Sequence, residues 1–287
     1  MSRRLLWALF GVAALIGPGI AGQPLEQSRL HASSAWADRA VVGRVASVEL
    51  DDVKAKPVPG VAHDVTYRIV RIAVDETLAG AGGRAVSEVR VGLPVKVAND
   101  PETGLGPFVK GAEGLFFLRM HYTDGFYTVE EFVPKGHPRY APDRATAERY
   151  LKLLADPRGS LLSKEPADRL TAAALLLIRY RATHGYMVKT APIPAEENKL
   201  ILAALVEADW NAQANPLHPW GFAYEMWLLS DLQLGKVFKL PVIPDGTRTE
   251  RTAFLKNWLL KNQRTYRIER YVPSNRRALN STARVWV

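Results

Sequence analysis

Ten lysines and arginines fall in the last forty residues, against only two acids, Glu250 and Glu269. They are Arg248, Arg251, Lys256, Lys261, Arg264, Arg267, Arg270, Arg276, Arg277 and Arg284. Residues 248–287 thus carry +8, whereas residues 22–247 sum to −1, so the basicity belongs to the C-terminus and not to the chain as a whole. Cations at this density attract polyanions, and they bind by displacing condensed counterions. Arg264, Arg267, Arg270, Arg276 and Arg277 are the candidate binding residues. An anionic envelope polymer is the partner their charge fits, with another protein as the alternative; a plainly solvated basic surface would look the same in the sequence.

Other residue types capable of chemistry are scattered. His63 beside Asp64, His121 near Asp124, His137, His184 and His218 stand at no metal-ligand spacing, and they read as polar loop or edge residues. Asn99 to Gly104 offers oxygens but lacks the alternation and terminal acid of a calcium loop, so a hairpin loop is expected. Glu130 and Glu131 are strand neighbours; strict alternation sends them to opposite faces and denies them a shared proton. Trp220, Tyr224 and Trp227, with Trp210 before them, follow helical spacing that fits a buried face better than a sugar-stacking strip. The nucleophile-elbow, Ser-x-x-Lys, His-Glu-x-x-His, phosphate-loop and dinucleotide motifs are absent, so no catalytic residue is assigned, and neither metal nor cofactor is expected.

The elements that position these residues change period near residue 140. Before it the pattern is strands: residues 40–50, with a bend or bulge at Gly43; 65–74, where the apolar phase shifts between Ile69 and Val70 as at a bulge; 86–97, interrupted at Pro94; a continuously apolar run at 115–120; and 126–133 after a turn at 123–126. Leu78 to Gly83 reads as a turn. After residue 140 helices are expected at 142–155, from Pro166 to Arg181, from Pro194 to Ala208, at 222–234 and from Thr247, where Glu250 three residues on completes a capping box. The last helix should turn Phe254, Leu255, Trp258 and Leu259 inward, and an extended segment follows Arg264. The expected architecture is α+β: a small antiparallel β-barrel at 36–135, an α-helical domain at 142–272 and a basic tail at 273–287. Two domains suit this length.

At the N-terminus Arg3 and Arg4 precede an apolar run from Leu5 to Ile16. Gly17, Pro18 and Gly19 break it, and Gly19 and Ala21 occupy the −3 and −1 positions of a cleavage site. Residues 1–21 read as a signal peptide cut after Ala21, too short in apolar length to span a bilayer. Export places the protein in the periplasm or outside the cell. The chain contains no cysteine, so burial alone must hold it together, and an apolar fraction of 47% is ordinary for that task.

Three segments in order, Ala37 to Val45, Tyr67 to Val74 leading into Thr77 to Gly80, and Lys110 to Leu118, resemble the N-terminal module of uncharacterised exported bacterial proteins. That module is itself similar to the OB-type barrel of netrin-like domains and tissue inhibitors of metalloproteinases. The resemblance covers about residues 36–133 and implies a barrel that serves as an interaction module. Those inhibitors chelate the protease metal through an N-terminal cysteine, and this chain has none, so that chemistry does not carry over. The sequence therefore points to a non-enzymatic binding protein of the envelope or extracellular space. An envelope hydrolase with a site between the domains, or an inhibitor-like module, are the other readings.

Overall fold

The computed structural model describes residues 23–58, 61–80, 86–95, 108–122, 125–181, 188–209 and 247–273. The expected signal peptide, the Asn99 to Gly104 loop, His184, His218, Asp124, the four aromatics from Trp210 to Trp227 and the tail beyond Pro273 lie outside these residues, as does the helix expected at 222–234. The protein is α+β. Helix α1 (Gln23–Trp36) precedes strands β1 (Arg39–Val48), β2 (Val53–Ala55), β3 (Val65–Gly80), β4 (Glu88–Pro94), β5 (Glu113–Met120) and β6 (Tyr127–Pro134). Helices α2 (Tyr140–Ala155), α3 (Pro157–Leu161) and α4 (Pro166–Arg181) follow, then β7 (Val188–Pro192), α5 (Ala195–Glu207), α6 (Arg248–Asn262) and β8 (Glu269–Pro273).

The first six strands form one sheet in the order β1-β5-β6-β4-β3-β2, and a further β1–β3 pairing makes the run of neighbours return to β1. The sheet is mixed rather than wholly antiparallel as expected, because β4 and β6 run parallel through Val91 opposite Tyr127 and Gly92 opposite Thr128. The helical half likewise contains an antiparallel pair, β7 with β8. Neither α1 nor the short β2 was expected from the pattern.

Alternation along the strands explains the two cores. Ala40, Val42, Leu115 and Phe117 join the helical residues Leu151, Leu154, Leu175 and Ile201 in one cluster. Their sequence neighbours Val41, Phe116 and Leu118 face the other way, toward Val70, Ile72 and Val91. The unbroken apolar run of β5 is thus the signature of burial on both faces.

The phase change at Ile69 and Val70 has the same origin. Tyr67 and Ile69 pack with Phe126 and Ala55 on one face, whereas Val70 and Ile72 belong to the second cluster on the other. No bulge is needed there, and pairing with β4 is continuous from Tyr67 to Ala73. The register shifts of the β1–β3 pair fall instead between Ala40 and Val41, Val42 and Gly43, and Val45 and Ser47. Gly43 does mark such a shift: a Cβ built on it would overlap the Ala73 carbonyl oxygen. Leu78 to Gly80, expected as a turn, continue β3 opposite Arg39 and Ala40.

The helical expectations hold closely. Helix α4 spans the expected residues, Pro194 is the N-cap of α5, and Thr247 with Glu250 forms a capping box on α6. On α6 Leu259 is buried, with Phe254 and Trp258 half-buried against the core. The side chain of Leu255 lies outside the description.

Candidate functional site

The C-terminal cations are presented by α6, a short connector and β8. Helix α6 stops at Asn262, whose carbonyl accepts from the amides of Thr265 and Tyr266 at 2.9 and 2.7 Å. Lys261 sits in the last helical turn, where the exposed carbonyl ends favour a cation. The chain then runs past α5, and Asn198 of that helix grips it from both sides. Its amide nitrogen donates to the Tyr266 carbonyl at 3.0 Å, and its carbonyl oxygen accepts from the Ile268 amide at 2.8 Å. The Ile268 carbonyl in turn accepts from the Ile193 amide at 3.0 Å.

This clamp decides where the arginines go. With Ile268 buried against the helices, Arg267 is left on the outer side and is exposed, as are Lys261 and Arg264. Arg270 shares the parity of Ile268 and turns inward. It is half-buried, and its Nε is buried without a hydrogen-bond partner. Lys256 is also withdrawn from any surface role, since its Nζ donates to the Ala208 carbonyl at the end of α5 at 2.5 Å. Arg276 and Arg277 lie outside the described residues.

Arg270 belongs to a cluster that the sequence did not reveal. Glu197 is fully buried on α5, Tyr180 of α4 donates its hydroxyl to Glu197 Oε1, and Glu197 Oε2 has no partner. Burial pushes the Glu197 carboxyl above the usual carboxylate range, while the Tyr180 hydroxyl and the Arg270 charge pull it the other way. The Tyr180 hydroxyl is raised, first by burial and then by its bond to Glu197. A signal did exist in the sequence: Glu197 and Asn198 precede Ile201, Leu202 and Leu205 by helical spacing and so sit on the apolar stripe of α5.

Eight arginines elsewhere are paired. Arg68, Arg71, Arg90, Arg119, Arg139, Arg144, Arg149 and Arg169 each meet a carboxylate within 3.6 Å. Glu49 bridges Arg71 and Arg90, and the Arg90 hydrogen bond holds its carboxyl below the ordinary value. Among the described residues no carboxylate comes within ion-pair distance of Lys261, Arg264 or Arg267.

The remaining candidates separate. His63 and His137 are exposed. His121 follows the end of β5 as expected of a loop residue but is buried: it stacks on Phe126 at 4.5 Å, and its Nε2 lies 3.0 Å from the Lys56 carbonyl. His31 of α1, which no motif drew attention to, is buried and stacks on Tyr150 at 4.5 Å. A register shift between Phe117 and Leu118 makes Glu130 an extra residue in β6, so simple alternation fails there. Glu131 accepts from Ser33 of α1 at 2.7 Å, and Glu130 meets Arg119 at 3.6 Å. Each carboxylate already has a structural partner.

Among the described residues no group of three or more histidines and acids is placed to hold a metal ion, and no helix is long and apolar enough to cross a membrane. No protein-family model matches the chain, and no curated protein matches it.

Proposed function

We propose that this chain is an exported, non-catalytic binding protein that holds an anionic polymer of the cell envelope on the cationic surface of Lys261, Arg264 and Arg267. The observation that carries the reading is the grouping of three exposed cations, none with a carboxylate at ion-pair distance among the described residues, on and beside a segment fixed by Asn198. Fixing matters, because cations already held in place lose less freedom on binding. Holding rather than turnover is supported by the acid–base-capable pair Tyr180 and Glu197, since Glu197 has no exposed surface through which a substrate could meet it.

The strands are read as an OB-type barrel acting as an interaction module. Supporting this are the five strands β1, β3, β4, β6 and β5 pairing in a ring, antiparallel except for β4 with β6. Export is supported by the Arg3-Arg4, Leu5 to Ile16 and Gly19-x-Ala21 pattern, and N-terminal sequencing of the extracytoplasmic protein should begin at or near Gly22.

The test of the binding surface is retention on immobilised heparin. The Arg264→Glu/Arg267→Glu variant should elute at clearly lower salt than wild type, with an unchanged circular dichroism spectrum. Co-elution of the two would assign the cations to solubility alone.

A further inference from the structure

A second cation, far from this surface in chain position, has no ion-pair partner among the described residues. Arg39 opens β1 opposite Leu118 of β5 and Gly80 of β3. Alternation puts it on the face of Val41 and Val45, the face that also gathers Leu118, Tyr127 and Val129. Its residue exposure is 6%. The guanidinium carbon lies 5.8 Å from the centroid of the Tyr127 ring, and both Nε and Nη1 are buried without a hydrogen-bond partner.

A guanidinium stays charged at any accessible pH, so burial cannot relieve this by deprotonation. An uncompensated buried charge is strongly unfavourable, and the face of an aromatic ring offsets only part of the cost. Nε–H shares its edge with Nη2 and Nη1 lies on the far side, so a group seated on the Nε–Nη2 edge or on the Nη1–Nη2 end meets the charge together with one of the two orphaned donors. A neutral acceptor would leave the charge uncompensated. An oxyanion supplies the missing charge and an acceptor together.

We propose that Arg39, backed by Tyr127, is a binding site for a small molecule carrying a carboxylate or phosphate group. The site lies where β1 begins and β5 ends, and it uses none of the cations on α6 or the connector. It therefore goes beyond the polymer-binding surface and stands or falls separately.

Thermal melts and calorimetric titration of the intact protein with acetate, citrate and inorganic phosphate test it, with chloride at equal ionic strength as reference. Wild type should be stabilised beyond chloride by at least one of the three, and whether acetate and citrate or phosphate saturates first identifies the group. Arg39→Lys keeps the charge but loses the fork, and it should weaken binding about tenfold or more, the worth of a charge-assisted hydrogen bond. Arg39→Met should abolish the response and, without anion, melt no lower than wild type. Arg264→Glu/Arg267→Glu should keep the response in full while losing heparin retention. A wild-type protein indifferent to all three anions, or an Arg39→Lys protein that binds as tightly as wild type, overturns the proposal.

Discussion

Two neighbouring residues on α5 set the terms for the helical half. Glu197 is buried with its carboxyl raised, chiefly by desolvation. A carboxyl raised in the fold favours folding below its unfolded pKa of about 4.3, and that contribution is lost as pH rises through the folded value. Replacing Glu197 with Gln keeps an acceptor for Tyr180 and removes the titration. The variant should therefore be at least as stable as wild type at pH 7, with a flatter dependence of melting temperature on pH above about 4.3. A clear loss of stability at pH 7 would mean that the charged carboxylate gains more from Arg270 than burial costs. Asn198 is the opposite case, a neutral group with both functions satisfied. Asn198→Ala strands the Ile268 amide and leaves the Tyr266 carbonyl to Arg267 Nη1 at 3.4 Å, at a cost of about 1–3 kcal/mol in chemical denaturation. It should also loosen the Arg264 to Arg270 segment, so hydrogen exchange at Ile268 should rise more than exchange in β5.

Glycine at position 43 shows how one residue governs an element. Its hydrogen lies against the Ala73 carbonyl where β1 and β3 slip register, so even Gly43→Ala must push backbone aside. A loss of about 1–3 kcal/mol is expected from such overpacking, and a neutral substitution would show that the two strands separate there. This bend was legible in the sequence, as were the limits of α4, the capping box of α6 and the burial of β5. Those signals are local, since a proline, a Thr-x-x-Glu spacing and an apolar run each act within a few residues. What escaped depends on partners distant in the chain. The parallel pairing of β4 with β6 is fixed by the path of the whole chain, and the phase change in β3 reflects two covering clusters rather than an inserted residue. Helix α1 lacks a strong apolar stripe, yet its Trp36 donates to the Ile178 carbonyl of α4 at 3.3 Å and its Ser33 to Glu131 of β6. Arg264 and Arg267 were legible as candidates from charge alone. That Arg270 turns inward was not, because it depends on Asn198 from another helix.

For the molecule as a whole, one apolar cluster runs from Leu115, Phe117 and Val133 of the sheet into α2, α4 and α5. The strand region 36–135 and the helical region 142–272 therefore share buried surface, and a shared core predicts a single cooperative thermal transition seen alike by far-ultraviolet and near-ultraviolet circular dichroism. Two resolved transitions would restore independent domains, and limited proteolysis within residues 135–145 or 157–164 would then release them. At this scale eight arginines of the sheet and the early helices are paired with carboxylates, whereas Lys261, Arg264 and Arg267 have none at ion-pair distance among the described residues. The central claim is that this unpaired set engages a polyanion. Its most direct test is the salt dependence of heparin affinity for wild type and for Arg264→Glu/Arg267→Glu. Each cation that displaces a counterion contributes roughly 0.7–0.9 to the slope of log affinity against log salt. The wild-type slope should be steep, and loss of two such contacts should flatten it by about 1.5. Equal slopes for the two proteins would contradict the account.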